Sequence, residues 1–169
     1  MRFPTTAARR MLLGTAMAMV LSAAAAMPAA AQPAGAAIGA FTFLTDTKTP
    51  IGQAGGNQFV HEVASISYTG GLAGIADAND ILVIHSDGSV NGYGSETCHS
   101  CTIGGRTGSF IAVFAFHSTS TGIEGNEIFL SGSGGLAGLH GGGPFQGGPA
   151  GNTYSYEYRF TPTRPLLSR

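Results

Sequence analysis

Thr153-Tyr154-Ser155-Tyr156-Glu157-Tyr158-Arg159-Phe160 alternates aromatic and polar side chains without a break. Tyr154, Tyr156, Tyr158 and Phe160 share one parity, and Thr153, Ser155, Glu157 and Arg159 share the other. An extended strand sends successive side chains to opposite faces, so it sorts this stretch into one aromatic and one polar face. A helix would scatter the four rings around its axis. The stretch predicts a half-buried strand, rings inward and the polar row in water, because the reverse would bury Glu157 and Arg159 without partners.

The same alternation recurs upstream. In the stretch 109–117, Phe110, Phe114 and Phe116 fall on one face, while Ile111, Val113 and Ala115 fall on the other. Both faces are apolar, so a cover over the second is expected. Further strands are predicted at 41–46, 58–69, 75–86, 89–97, 124–131 and 136–142, separated by turn clusters such as Ser86-Asp87-Gly88 and Gly141-Gly142-Gly143-Pro144. Helix-forming material is nearly absent, and no segment sustains a 3.6-residue period. With about eight strands, a closed antiparallel β-barrel removes the exposed edges and encloses either side chains or one small ligand. The repeated Gly70-Gly71-Leu72-Ala73-Gly74 and Gly134-Gly135-Leu136-Ala137-Gly138 fit tight barrel corners, each leucine restarting an inward face.

Three stretches carry a resemblance: Gly105-Arg106-Thr107-Gly108-Ser109-Phe110, then Leu130-Ser131-Gly132-Ser133-Gly134-Gly135-Leu136-Ala137-Gly138-Leu139, then the closing strand. They resemble a bacterial family known as a domain of unknown function, similar in fold to allene oxide cyclase and the plant dirigent proteins. The resemblance spans about residues 41–160 and implies an eight-stranded antiparallel barrel. It transfers no activity, since these barrels host different functions and no residues here match the cyclase catalytic pattern.

The ends and the charge bound the rest. Arg2, Arg9 and Arg10 precede an apolar run from Met11 to Ala26, followed by Pro28 and Ala29-Ala30-Ala31. This is the layout of a secretory signal peptide over 1–31, cleaved near Ala31, which predicts a periplasmic or secreted protein with no membrane segment after cleavage. Arg9-Arg10 leaves both a general secretory and a twin-arginine route open. A linker is expected over 32–40, one barrel domain over 41–160, and a Pro-containing tail over 161–169. Without residues 1–31, five basic residues face nine acidic ones, a net charge of −4. No basic stripe is present, so nucleic acid is not an expected partner; a homo-oligomer is possible.

Chemistry is sparse. Cys98-His99-Ser100-Cys101 reads as a short disulfide across a loop tip in an oxidising compartment, with redox and metal roles as alternatives. Haem attachment needs a histidine where Thr102 stands, and zinc needs more ligands than are present. His61 and His85 could face a cavity beside Ser65 and Ser67, although a hydrogen-bonded surface position is the commoner case. Glu157 and Arg159 read as a solvated outer pair. No nucleophile elbow, phosphate loop or carboxylate cluster appears, and neither a cofactor nor a metal is expected.

The aromatic residues Phe110, Phe114, Phe116, Tyr154, Tyr156 and Tyr158 are the candidate ligand-binding set, against the alternative of a packed core. Three functions stay open: a module binding a small apolar or aromatic molecule, an isomerase or cyclase for a small hydrophobic intermediate, and a structural protein with a filled barrel. A cavity well below ~300 Å³ argues against a ligand, and convergent ionisable groups in a larger one favour an enzyme.

Overall fold

The computed structural model describes residues 34–161. The expected signal peptide, and all of the expected tail beyond Thr161, lie outside the described residues. Eight strands follow one another: β1 (Gly35–Ala54), β2 (Asn57–Gly70), β3 (Leu72–Ile84), β4 (Val90–Ile103), β5 (Arg106–Thr119), β6 (Gly122–Gly134), β7 (Leu139–Gly148) and β8 (Gly151–Phe160). Each pairs antiparallel with the next, and β8 pairs back onto β1, so the sheet closes into a barrel with no helix among the described residues.

Closure is made by residues that were expected to be linker. Gly35–Phe41 pairs with Tyr158–Asn152 of β8, and Ala37 is buried in the core. Beyond Phe41, β1 has only β2 as a neighbour and forms an edge, while β2 stays paired with β3 down to Gln58. Pro50 sits on this single-sided stretch, opposite Val60 and next to a register shift, the kind of edge position where a strand tolerates a residue without an N–H. The other departure is β7. It begins at Leu139 and takes in Gly141-Gly142-Gly143-Pro144, which the sequence had suggested as a turn.

The two GGLAG copies sit at the same end of the barrel. The first joins β2 to β3 and the second joins β6 to β7. Gly70 and Gly134 take positive φ of 106° and 61°, which a side chain would resist. Leu72 and Leu136 are fully buried there, together with Ile103 and Leu139, and they stop this end of the barrel. The hydroxyl of Tyr154 clamps the first corner, accepting from Leu72 N at 2.8 Å and lying 3.0 Å from Thr69 O.

The closing strand has the predicted orientation. Tyr154, Tyr156 and Phe160 are buried and Tyr158 is half-buried against the same core, while Thr153, Ser155, Glu157 and Arg159 are exposed. The expected cover over β5 is not found among the described residues, and Ile111 keeps 44% of its surface exposed.

The cysteines lie inside β4 rather than at a loop tip. Cys98 and Cys101 are disulfide-bonded, with Cα atoms 5.9 Å apart, and neither has exposed surface. In a regular strand, residues three apart point to opposite faces. Here β4 slips register against β5 between Cys98 and Cys101, and against β3 at Ala73–Ala76. This bulge resets the parity and turns both sulfurs inward.

Candidate functional site

Between the plugged end and the opposite rim lies a small cavity of ≈ 50 Å³. Inward side chains of β1 to β8 supply its wall: Phe41 and Phe43, Phe114 and Phe116, Phe145, and the rings of Tyr68 and Tyr156. Inward glycines make room for them; a Cβ on Gly94, for instance, would press on Cα of Asp80. The half-exposed rings of Phe43, Phe116 and Phe145 mark the open side.

Four carboxyl groups also line this apolar chamber: Glu62, Asp80, Glu96 and Glu127. All four are buried, Glu96 and Glu127 to 2% exposure each. Tyr68 Oη donates to Glu96 Oε2 at 2.8 Å and Tyr156 Oη donates to Glu127 Oε2 at 2.6 Å. The two carboxyls also meet each other. Two carboxylates hold no hydrogen between them, so this contact is favourable only when a proton is shared. Apart from that proton, the Oε1 atoms of both receive no donor.

Burial pushes Glu96 up to about 7, against the opposing pull of the Tyr68 hydrogen bond. Burial, and then the charge of Glu96, hold Glu127 well above the ordinary carboxylate range. The Tyr68 and Tyr156 hydroxyls are raised by burial and by the same two carboxyls, so both remain donors at neutral pH.

A second group stands where the β1–β2 hairpin meets β3. Lys48 Nζ lies 2.6 Å from Glu62 Oε1 and also pairs with Asp46. Burial, followed by the neighbouring Glu62, raises Asp80 to about 7. Burial also raises Glu62, although Lys48 pulls it back. Among the described residues no cluster of three or more His, Cys, Asp or Glu has metal-holding geometry.

Of the sequence-derived candidates, Phe114, Phe116 and Tyr156 line the cavity. Phe110 and Tyr154 are packed in the core instead: Phe110 edge-on to Phe129, and Tyr154 stacked on Tyr156 at the clamped corner. Tyr158 packs edge-on to Phe160, and its ring fills the space beside Gly35 and Gly104. His61 bonds Asn79 on the outer surface, and His85 and His117 join Asn57 and Asn91 in a cross-strand row. Neither His61 nor His85 lines the cavity.

The carboxyl cluster is the feature missed from the sequence. Its signal was parity: Glu62 lies two residues from Val60 and Ala64, Asp80 from Ala78 and Leu82, Glu96 from Cys98, and Glu127 from Phe129, all inward. What parity could not supply is that four strands bring these positions to one chamber.

Among curated proteins none matches this chain. A crystal structure of a protein of unknown function from the DUF3224 family of Shewanella oneidensis MR-1 is similar in fold, with a TM-score of 0.64. It is 19% identical, and the alignment covers 78% of this chain and 100% of that one. The family model described as "Protein of unknown function (DUF3224)" matches residues 37–160, which span the strands from near the start of β1 to the end of β8, so the chain belongs to the DUF3224 family.

Proposed function

We propose that this barrel is a binding module for a small molecule, which enters between the half-exposed phenylalanines and reaches the Glu96–Glu127 pair with its polar end. The single observation that carries the reading is that pair. Two adjacent carboxyls in an aromatic interior cost stability unless their oxygens are satisfied, and a barrel that only needs filling is served better by apolar side chains. The cavity sets the size. At ≈ 50 Å³ it is far below ~300 Å³, which argues against a ligand enclosed in the barrel, so the proposal is confined to a molecule whose tip alone enters the preformed space.

The kinship with allene oxide cyclase and dirigent barrels is part of this proposal, as is export. A disulfide in β4 suits the oxidising compartment to which the N-terminal signal would deliver the chain.

The test is a thermal-shift screen of the mature protein against a fragment library, repeated on Ala78→Leu, which fills the chamber beside Glu96. A fragment at 100 times its Kd stabilises the native barrel by about 2.7 kcal/mol and loses that effect in the folded variant. No stabilising fragment, or one indifferent to Ala78→Leu, overturns the reading. The convergence of Glu96 and Glu127 also favours a second reading, an acid–base isomerase or cyclase. In that case a bound fragment would be recovered chemically changed, and Glu127→Gln would bind it without converting it.

A further inference from the structure

Resting on the binding reading, we infer that the chamber selects an organic cation, a slender primary alkylammonium whose –NH₃⁺ group lies against the unpartnered oxygens of Glu96 and Glu127. Three observations point the same way. Glu96 Oε1 and Glu127 Oε1 are buried acceptors that no other residue donates to, leaving them only the proton the pair shares, on side chains that line the cavity, while every other oxygen of the pair already receives a tyrosine hydroxyl. An ammonium is a compact group with three donors and no acceptor, so it can serve both oxygens at once. The walls are aromatic faces, which attract a cation through the ring quadrupole and offer nothing to an anion. No lysine, arginine or histidine lines the chamber, and the nearby Lys48, at its edge, is already paired with Asp46 and Glu62 and does not reach the Glu96–Glu127 pair. The small preformed volume then selects for width. A linear chain can follow its ammonium between Phe43, Phe116 and Phe145, whereas a quaternary or branched head cannot pass to the floor.

Binding must displace the proton that the empty pair shares. The groups facing that proton are Tyr68 on β2, Tyr156 on β8 and the two glutamates themselves on β4 and β6, while Asp80 and Glu62 interact instead with Lys48 and Asp46. Because Glu96 releases its proton near pH 7, affinity for an alkylammonium rises from pH 5.5 to pH 8, and protons leave on binding.

The experiment is calorimetric titration of the mature protein with n-hexylamine, 1-hexanol and hexanoate at both pH values, in two buffers of different ionisation enthalpy. The expected result has three parts: hexylamine binds at least tenfold more tightly than hexanol, its affinity rises with pH, and its apparent enthalpy depends on the buffer. In Glu127→Gln, which keeps the shape of the side chain, hexylamine falls to the level of hexanol. Glu96→Gln serves if the first variant does not fold. If hexanol or hexanoate binds as well as hexylamine, or Glu127→Gln leaves the preference intact, the cation assignment fails while the binding module stands. If none of the probes binds and the fragment screen is also empty, both fail.

Discussion

At the scale of single residues, two stacked tyrosines have different duties. The Tyr154 hydroxyl is fixed to backbone atoms of Thr69 and Leu72. Tyr154→Phe leaves the buried Leu72 N–H without an acceptor and is expected to cost ~1–3 kcal/mol at any pH. The Tyr156 hydroxyl instead donates to Glu127, a bond that favours the ionised carboxylate. Burial and the charge of Glu96 hold Glu127 protonated, so Tyr156→Phe should cost about the same at pH 5 and pH 8. Tyr68→Phe, which removes the matching donor to Glu96, should destabilise more at pH 8 than at pH 5, because Glu96 ionises near 7, and chemical denaturation at the two pH values measures both. Equal losses for Tyr68→Phe would place Glu96 in a permanently neutral state. These hydroxyl roles were not legible in 153–160, because their partners lie 82, 85 and 29 residues away in sequence.

At the scale of elements, the bulge in β4 and the orientation of β8 can each be tested. The disulfide closes a loop of sequence separation 3, so it restrains little of the unfolded chain. Replacing Cys98 and Cys101 by Ser should cost ~1–3 kcal/mol and leave a folded barrel. The facing glycine is less forgiving. Gly74 has φ +144°, and a Cβ there would sit 3.0 Å from Cys101 Cα and 3.0 Å from Ser100 O. Gly74→Val is expected to destabilise more than the double serine variant, and comparing their melting temperatures decides it. On β8, Tyr156→Ala removes a fully buried ring and should cost ~3–5 kcal/mol, whereas Glu157→Ala on the wet face should stay within about 0.5 kcal/mol. The opposite order would mean that the strand is inside out.

At the scale of the whole molecule, the buried carboxyls set how stability responds to pH. Glu96 titrates near 7 in the folded chain against an ordinary 4.5, so the folded state holds the proton more tightly than the unfolded state. That stability is fully present below the ordinary carboxylate range and is lost as pH rises to about 7, by roughly 3 kcal/mol at ~1.4 kcal/mol per unit. Asp46 and Asp87 act oppositely at low pH, since their hydrogen bonds hold them below the usual aspartate range. The expected profile is a barrel more stable at pH 5 than at pH 8, with Glu127→Gln flattening the decline. An unchanged melting temperature from pH 5 to 8 would show both glutamates to be solvated.

The alternation in 153–160 and the glycine corners were enough to determine strands, the wet and dry faces of β8, and an antiparallel barrel, because parity and turn chemistry are local. The same rule put Phe114, Phe116 and Tyr156 on inward faces. Tertiary structure alone decided the rest. Closure recruited 35–40, which carries no strong alternation, because β8 needed a partner for its other edge. A bulge moved Cys101 inward against its parity. Most of all, the barrel brought Glu96 and Glu127 from β4 and β6 to one point. A carboxylate in a sequence reads as solvated surface until the fold places another beside it, out of water, where the two must share a proton or a cation.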